Sequence, residues 1–71
     1  MAVTGTEMFL ARRTRKVSQG AVGERLGLFK HTLVDIERGR LEVSQEYGLR
    51  ILQAINAIAD AREAEQQEQA A

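Results

Sequence analysis

The chain has 71 residues, enough for one domain, and a domain of this length buries only about 60% of its unfolded surface. It has no cysteine, which excludes disulfides and thiolate metal sites, and its single histidine, His31, cannot build a zinc site alone. The net charge is zero, but residues 1–40 carry +4 and residues 41–71 carry −4, which indicates a polyanionic partner.

The first predicted helix runs from about Gly5 to Arg15. Thr4, followed by Glu7 three residues later, has the form of a capping box. Proline is absent from the whole chain, whereas Ala, Leu, Glu, Arg and Gln are plentiful, and this composition favours helices. We therefore expect an all-α fold.

Two short helices are predicted next, separated by a turn. Ser18 is a good N-cap for a helix over Gln19–Leu26, and Gly27 supplies the left-handed backbone that ends it. The following helix spans about Phe29–Arg38, and Gly39 ends it in the same way. This geometry is that of a helix-turn-helix, whose second helix enters the major groove of DNA.

The residue types around the turn suit this geometry. Gly23 provides a small residue where the second and third helices must cross closely. An apolar set should lock these helices together: Val22, Leu26, Leu28, Leu33 and Ile36. The outward face of the third helix presents mostly polar residues: Phe29, Lys30, His31, Thr32 and Asp35.

A long fourth helix is predicted to start at Gln45, after the N-cap Ser44, and to reach about Arg62 or beyond. Its apolar residues repeat at helical spacing, and no glycine or proline follows Gly48. Residues 63–71 contain only Ala, Glu and Gln, so we expect them to fray or be disordered. The predicted organisation is a domain over 1–62 and a polar tail over 63–71.

The stretch from Val17 to Leu28, continuing through Thr32-Leu33 to Ile36-Glu37-Arg38-Gly39, resembles the lambda-repressor-like, Cro-type (XRE) helix-turn-helix family. The resemblance covers about residues 4–55 without gaps. It implies a bundle of four to five helices. It also implies a transcriptional regulator that binds double-stranded DNA.

The resemblance assigns roles to individual residues. Gln19 matches a position that hydrogen-bonds the phosphate backbone. Base-contacting positions of the recognition helix are matched by Lys30, His31, Thr32 and, later in the helix, Asp35. Residues expected to lie near phosphates are Lys16, Ser18, Arg38 and Arg40. Arg12 and Glu37 match a pair that forms an internal salt bridge in this family.

The chain departs from the family pattern at four positions. Phe29 stands where Ser or Thr usually caps the third helix, and Val43 stands where a proline usually precedes the serine. Gly48 replaces an apolar residue. Asn56 lies near the point where a glycine usually separates the fourth and fifth helices, which leaves open whether a fifth helix forms.

Three side chains allow two interpretations each. The ring of Phe29 either packs on a thymine methyl group or folds back onto the first or second helix. Asp35 either accepts a hydrogen bond from cytosine N4 or pairs with a basic neighbour such as Lys16 or Arg38. Lys16 itself either attracts phosphate or simply places a favourable charge at a helix C-terminus.

The fourth helix carries more apolar surface than a small core needs. We therefore expect a homodimer, with an interface formed by Ala54, Ile55, Ile58 and Ala61. A two-fold dimer places its recognition helices about 34 Å apart on a roughly palindromic site. RNA polymerase is a further partner if the protein activates transcription, and Glu24 is the acidic candidate for that contact.

The favoured function is a repressor or autoregulatory control protein, of the kind that phages, plasmids, mobile elements and restriction-modification systems use. The alternative is an antitoxin-like or anti-activator module that docks a partner protein through its C-terminal helix. An enzyme is not expected, since the chain has no cysteine and no phosphate-binding glycine loop, and no cofactor or metal is expected. No apolar run approaches the roughly 18 residues of a membrane span, and no signal peptide is evident, so a cytoplasmic location is expected.

Overall fold

The computed structural model describes residues 3–70, with the side chains of residues 3–66. Within that range the chain forms four α-helices and no strand: α1 Gly5–Thr14, α2 Gln19–Leu26, α3 Lys30–Glu37 and α4 Gln45–Ala70. The predicted all-α fold with a long C-terminal helix is confirmed. α3 is shorter than predicted because Phe29 and Arg38 serve as its caps. No described helix is long and apolar enough to cross a membrane.

Hydroxyl side chains start three of the four helices. Thr4, Ser18 and Ser44 each accept a hydrogen bond from the backbone amide three residues further on, at 3.1, 3.0 and 3.1 Å. Such caps satisfy amides that have no partner within the helix. α3 is the exception, because Phe29 occupies its N-cap position and offers no side-chain hydrogen bond.

Left-handed residues end the first three helices. Gly27 and Gly39 have φ values of 71° and 78°, as predicted. α1 ends in the same manner at Lys16, with φ 57°, although it carries a side chain. The amide of Val17 then donates to the carbonyl of Arg12 at 3.0 Å. Left-handed backbone costs a non-glycine residue about 1–2 kcal/mol, so the connection between α1 and α2 is strained at Lys16.

One hydrophobic core lies among the helices, and α1 and α2 each pack against both α3 and α4. Its fully buried large side chains are Met8, Val17, Val22, Leu33, Ile51 and Ile55. Gly23 marks a close approach, because a Cβ there would lie 2.8 Å from the carbonyl oxygen of Leu28. α2 therefore approaches the backbone of the turn before α3.

Two residues predicted to form a dimer interface belong to the chain's own core. Ala54 and Ile55 are 4% and 1% exposed. The apolar stripe that carries them packs against the other helices of the same chain, so neither offers surface to a second subunit. Ile58 is half-buried against this core, and Ala61 is exposed.

α4 runs without interruption through Asn56, so no fifth helix begins there. The segment predicted to fray is helical as far as Ala70, and Ala71 lies outside the described residues. Ala, Glu and Gln are good helix formers, which suits a continuation of an already anchored helix.

Polar contacts attach the distal part of α4 to the end of α1. Arg15 donates to Asp60 at 2.7 Å, to Glu63 at 3.2 Å and to Asn56 at 3.1 Å. Arg62 donates to the carbonyl oxygen of Lys16 at 2.8 Å. The hydrogen bond to Asp60 is the main cause of a raised pKa of Arg15. Part of the acidic half of the sequence therefore neutralises a base of the same chain.

Candidate nucleic-acid interface

The helix-turn-helix unit consists of α2, a turn over residues 27–29, and α3. The turn is fixed by its own backbone, because the amide of Leu28 donates to the carbonyl of Gly23 at 2.7 Å. Leu33 anchors α3 from its inner side and is fully buried. Fixing the inner side in this way determines which residues of α3 face outward.

The start of α3 presents three consecutive exposed residues: Phe29, Lys30 and His31. Thr32 and Asp35, also predicted to face outward, are half-buried. The N-terminal residues of a recognition helix are the ones that contact base edges in helix-turn-helix complexes. The exposed row therefore occupies the part of α3 that corresponds to the base-contacting end of the recognition helix in such complexes.

The ring of Phe29 does not fold back onto α1 or α2. It is 75% exposed and stacks on the imidazole of His31, with the ring centroids 5.6 Å apart and the planes 8° from parallel. An exposed, stacked aromatic pair therefore stands at the N-terminal end of α3.

Basic side chains lie within this row and beyond the end of α3. Lys30 and Arg38 are exposed and form no ion pair with any side chain that the structure describes. Arg40 Nη1 lies 3.9 Å from Asp35 Oδ1, so Asp35 pairs with Arg40 instead of Lys16 or Arg38. The charges of Lys30 and Arg38 are thus available to an external anion.

A second basic surface lies where α1 meets α2. Arg13, Lys16 and Ser18 line a shallow depression together with parts of Arg12 and Val17. The guanidinium carbon of Arg13 lies 5.8 Å from the centre of the Phe9 ring, within the range of a cation–π contact. The i, i+4 spacing of Phe9 and Arg13 on α1 is the sequence signal for this contact, which was not among the predicted ones.

A buried ion pair holds together the helices that form the candidate interface. Arg12 donates from Nε to Glu37 Oε2 at 2.8 Å and from Nη2 to Oε1 at 3.0 Å, with only 10% and 4% of the two side chains exposed. Arg12 also donates from Nη1 to the carbonyl oxygen of Val17 at 3.1 Å. The pair links the end of α3 to α1 and to the connection before α2.

Gln19 joins this pair at the start of α2. Its Nε2 donates to Glu37 Oε1 at 3.3 Å, and the residue is half-buried. An amide nitrogen carries two protons, so one remains for a phosphate oxygen while the other is held by Glu37. The structure thus gives Gln19 an internal partner and leaves it one donor.

A four-helix bundle with this α2–turn–α3 unit and an exposed α3 start defines a helix-turn-helix DNA-binding protein. The chain belongs to the helix-turn-helix domain family, whose model matches residues 5–70, and the domain is of the XRE, Cro-like type. Domains of this family bind DNA and are typically not enzymes. No curated protein and no solved structure matches the chain.

Proposed function

We propose that the protein is a transcriptional regulator that binds a specific double-stranded DNA sequence, with α3 in the major groove. The observation that carries the proposal is the exposed row Phe29, Lys30 and His31 at the start of α3. Lys30 and His31 can donate to O6 and N7 of guanine, and Thr32 can contact a base or a phosphate. Buried residues on the other side of α3 hold this row outward.

Phosphate contacts supply most of the affinity in this proposal. Arg38 and Arg40 follow α3, while Lys16, Ser18 and Gln19 surround the start of α2. Each phosphate that a cation neutralises releases counterions, so binding should weaken as salt concentration rises. The exposure of the four basic or hydroxyl side chains in this set supports such contacts.

We further propose a homodimer on a roughly palindromic operator. Of the predicted interface, Ile58 and Ala61 retain surface, and they lie on α4. Dimerisation adds buried apolar area that a 71-residue chain lacks. Repression then needs only occupancy of a site that overlaps a promoter, whereas activation needs a contact with RNA polymerase, for which the exposed Glu24 on α2 is the candidate.

The dimer is tested by Ala61→Glu, with Gln53→Glu as a control at another exposed position of α4. Sedimentation velocity over a range of protein concentrations should show a dimer for the wild type and the control, and a weakened dimer for Ala61→Glu. Equal self-association of all three proteins removes Ala61 from the interface.

A protein-docking, antitoxin-like role of the C-terminal helix is the less favoured function. Asp60 and Glu63, two of the acids of α4, are already engaged by Arg15 within the chain, which leaves less of its acidic surface for a partner protein. The exposed residues at the start of α3 have no part in that role.

The test of DNA recognition is selection of binding sites from random duplexes, followed by titration of the selected site. The double variant Lys30→Ala with His31→Ala should lose about 1–3 kcal/mol of binding free energy for each bidentate base contact removed. Gln53→Ala, an exposed change on α4, should leave the affinity unchanged. If selection yields no preferred sequence, specific recognition by α3 is wrong.

A further inference from the structure

We infer that Phe29 is a specificity-determining residue that contacts the C5 methyl group of a pyrimidine in the major groove, with His31 as the residue that positions its ring. The inference rests on the proposed function and adds the chemical group that is recognised. It follows from three observations on the start of α3.

The first observation is that Phe29 is a large apolar side chain left in solvent. It is the most exposed of the large hydrophobic residues in the described part of the chain, at 75%. The core has no need of it, because Leu33 and Ile36 fill the inner side of α3. Its apolar surface is therefore available to an external apolar group.

The second observation is that Phe29 occupies the N-cap position, where it makes no capping hydrogen bond. Ser, Thr, Asp or Asn there stabilises a helix by about 1 kcal/mol relative to an apolar residue. The other three helices that the structure describes all have a hydroxyl cap. A side chain that gives up this stabilisation at the base-reading end of α3 has another contact to make.

The third observation is that the ring is stacked on a neighbouring side chain. It stacks on His31 with an interplanar angle of 8°, so His31 lies against one side of the ring, and most of the Phe29 surface stays exposed. A restrained ring loses less conformational entropy on binding than one that rotates freely. The neighbouring Lys30 is exposed and can hold a phosphate or a guanine while the ring contacts the next base.

The ligand chemistry follows from the groove. Among the ordinary bases, only thymine places a methyl group in the major groove, and 5-methylcytosine places the same methyl group there with a different hydrogen-bonding pattern. Phe29 can make only apolar and aromatic contacts. It therefore recognises the methyl group independently of the hydrogen bonds of the base.

The experiment uses the full chain and a duplex obtained by site selection. Each thymine is replaced in turn by deoxyuridine, which removes the methyl group and keeps the hydrogen-bonding groups, and dissociation constants are measured by fluorescence anisotropy. At one position in each half-site, the wild type should bind the deoxyuridine duplex about fourfold more weakly, the effect of one buried methyl-sized group. Phe29→Ala should bind the thymine and deoxyuridine duplexes equally.

A second arm separates the two sources of the methyl group. At the same position, a C·G pair is compared with a 5-methylcytosine·G pair. A gain of about fourfold for the methylated pair with the wild type, absent in Phe29→Ala, shows that the methyl group is read on either base. A thymine effect without this gain shows that thymine alone is the ligand.

Two controls test whether the effect is specific to Phe29 and depends on His31. Leu10→Ala removes another exposed large apolar residue, on α1, and should retain the full thymine-to-deoxyuridine ratio. His31→Phe keeps an aromatic partner and should retain that ratio, whereas His31→Ala should reduce it. A purely structural role of His31 would change overall affinity without changing the ratio.

The inference is overturned if no thymine position responds to deoxyuridine, or if Phe29→Ala retains the ratio. If Phe29→Ala and the wild type have the same thymine-to-deoxyuridine ratio, and Phe29→Ala also loses self-association, the ring belongs to a protein interface instead. Failure of the proposed function is a separate result, because site selection would then yield no preferred duplex. Circular dichroism at 222 nm verifies that each variant is folded.

Discussion

The buried ion pair between Arg12 and Glu37 makes the sharpest prediction about stability. Replacing Arg12 with methionine keeps an unbranched side chain but removes the charge and three hydrogen bonds. Glu37, whose side chain is 4% exposed, then keeps only the 3.3 Å hydrogen bond from Gln19. Leaving one member of a buried pair without its partner costs about 3–5 kcal/mol.

That loss is large for this chain. At roughly 0.05–0.15 kcal/mol per residue, a domain of 71 residues is stable by about 4–11 kcal/mol. For a domain of this size, each kcal/mol lowers Tm by about 4–8 °C, so Arg12→Met should lower Tm by at least about 12 °C. The variant should therefore be partly unfolded near physiological temperature.

Urea unfolding followed by circular dichroism at 222 nm measures the effect. The double variant Arg12→Met with Glu37→Met should recover most of the loss, since replacing a whole buried pair by apolar residues is often close to neutral. Arg15→Met is the matched control, because its partners Asp60 and Glu63 are exposed and such pairs contribute less than about 1 kcal/mol. The reasoning is refuted if Arg12→Met loses less than about 1 kcal/mol of unfolding free energy. It is also refuted if the double variant loses as much as Arg12→Met and Glu37→Met lose together.

Three further changes test a strained residue, a helix cap and a close backbone contact. Each is measured by the free energy of unfolding in urea. Lys16→Gly should raise it by about 0.5–1 kcal/mol, because glycine relieves the strain at φ 57°, whereas Lys16→Ala should not raise it. Ser18→Ala should lower it by about 1 kcal/mol through loss of the α2 cap, and an unchanged value would mean that water replaces the hydroxyl. Gly5→Ala should lower it by about 1–3 kcal/mol, because the new methyl group would overlap the carbonyl oxygen of Ile36 and lie 2.7 Å from that of Glu37. Wild-type stability of Gly5→Ala would show that α1 and α3 move apart at little cost.

Most helix boundaries could be predicted from the sequence, because they depend on residues close to them in the chain. The hydroxyl cap Ser18 and the glycines at 27 and 39 define α2 and the end of α3, because capping and left-handed backbone depend on neighbouring residues only. The absence of breakers after Gly48 likewise predicts the long α4. The resemblance to a known family was needed for the Arg12–Glu37 pair, whose members are 25 positions apart.

Features that depend on tertiary packing could not be predicted from the sequence. An apolar stripe on α4 looks the same whether it faces its own core or a second subunit, so Ala54 and Ile55 were assigned to the wrong surface. The sequence allowed the ring of Phe29 either to face outward or to pack against another helix. It faces outward because other residues already fill the inner side of α3. The left-handed backbone at Lys16 has no local sign, since lysine normally avoids it.

The uncapped start of α3 has a consequence for protein engineering. Phe29→Ser would supply the missing hydroxyl cap and should stabilise the free protein by about 1 kcal/mol. A screen that rewards heat resistance alone would therefore enrich this substitution and discard the aromatic ring in the same step. If Phe29 reads a methyl group as proposed, such stabilised variants would have a higher Tm but would discriminate less well between DNA sites, an instance of the trade-off between stability and activity.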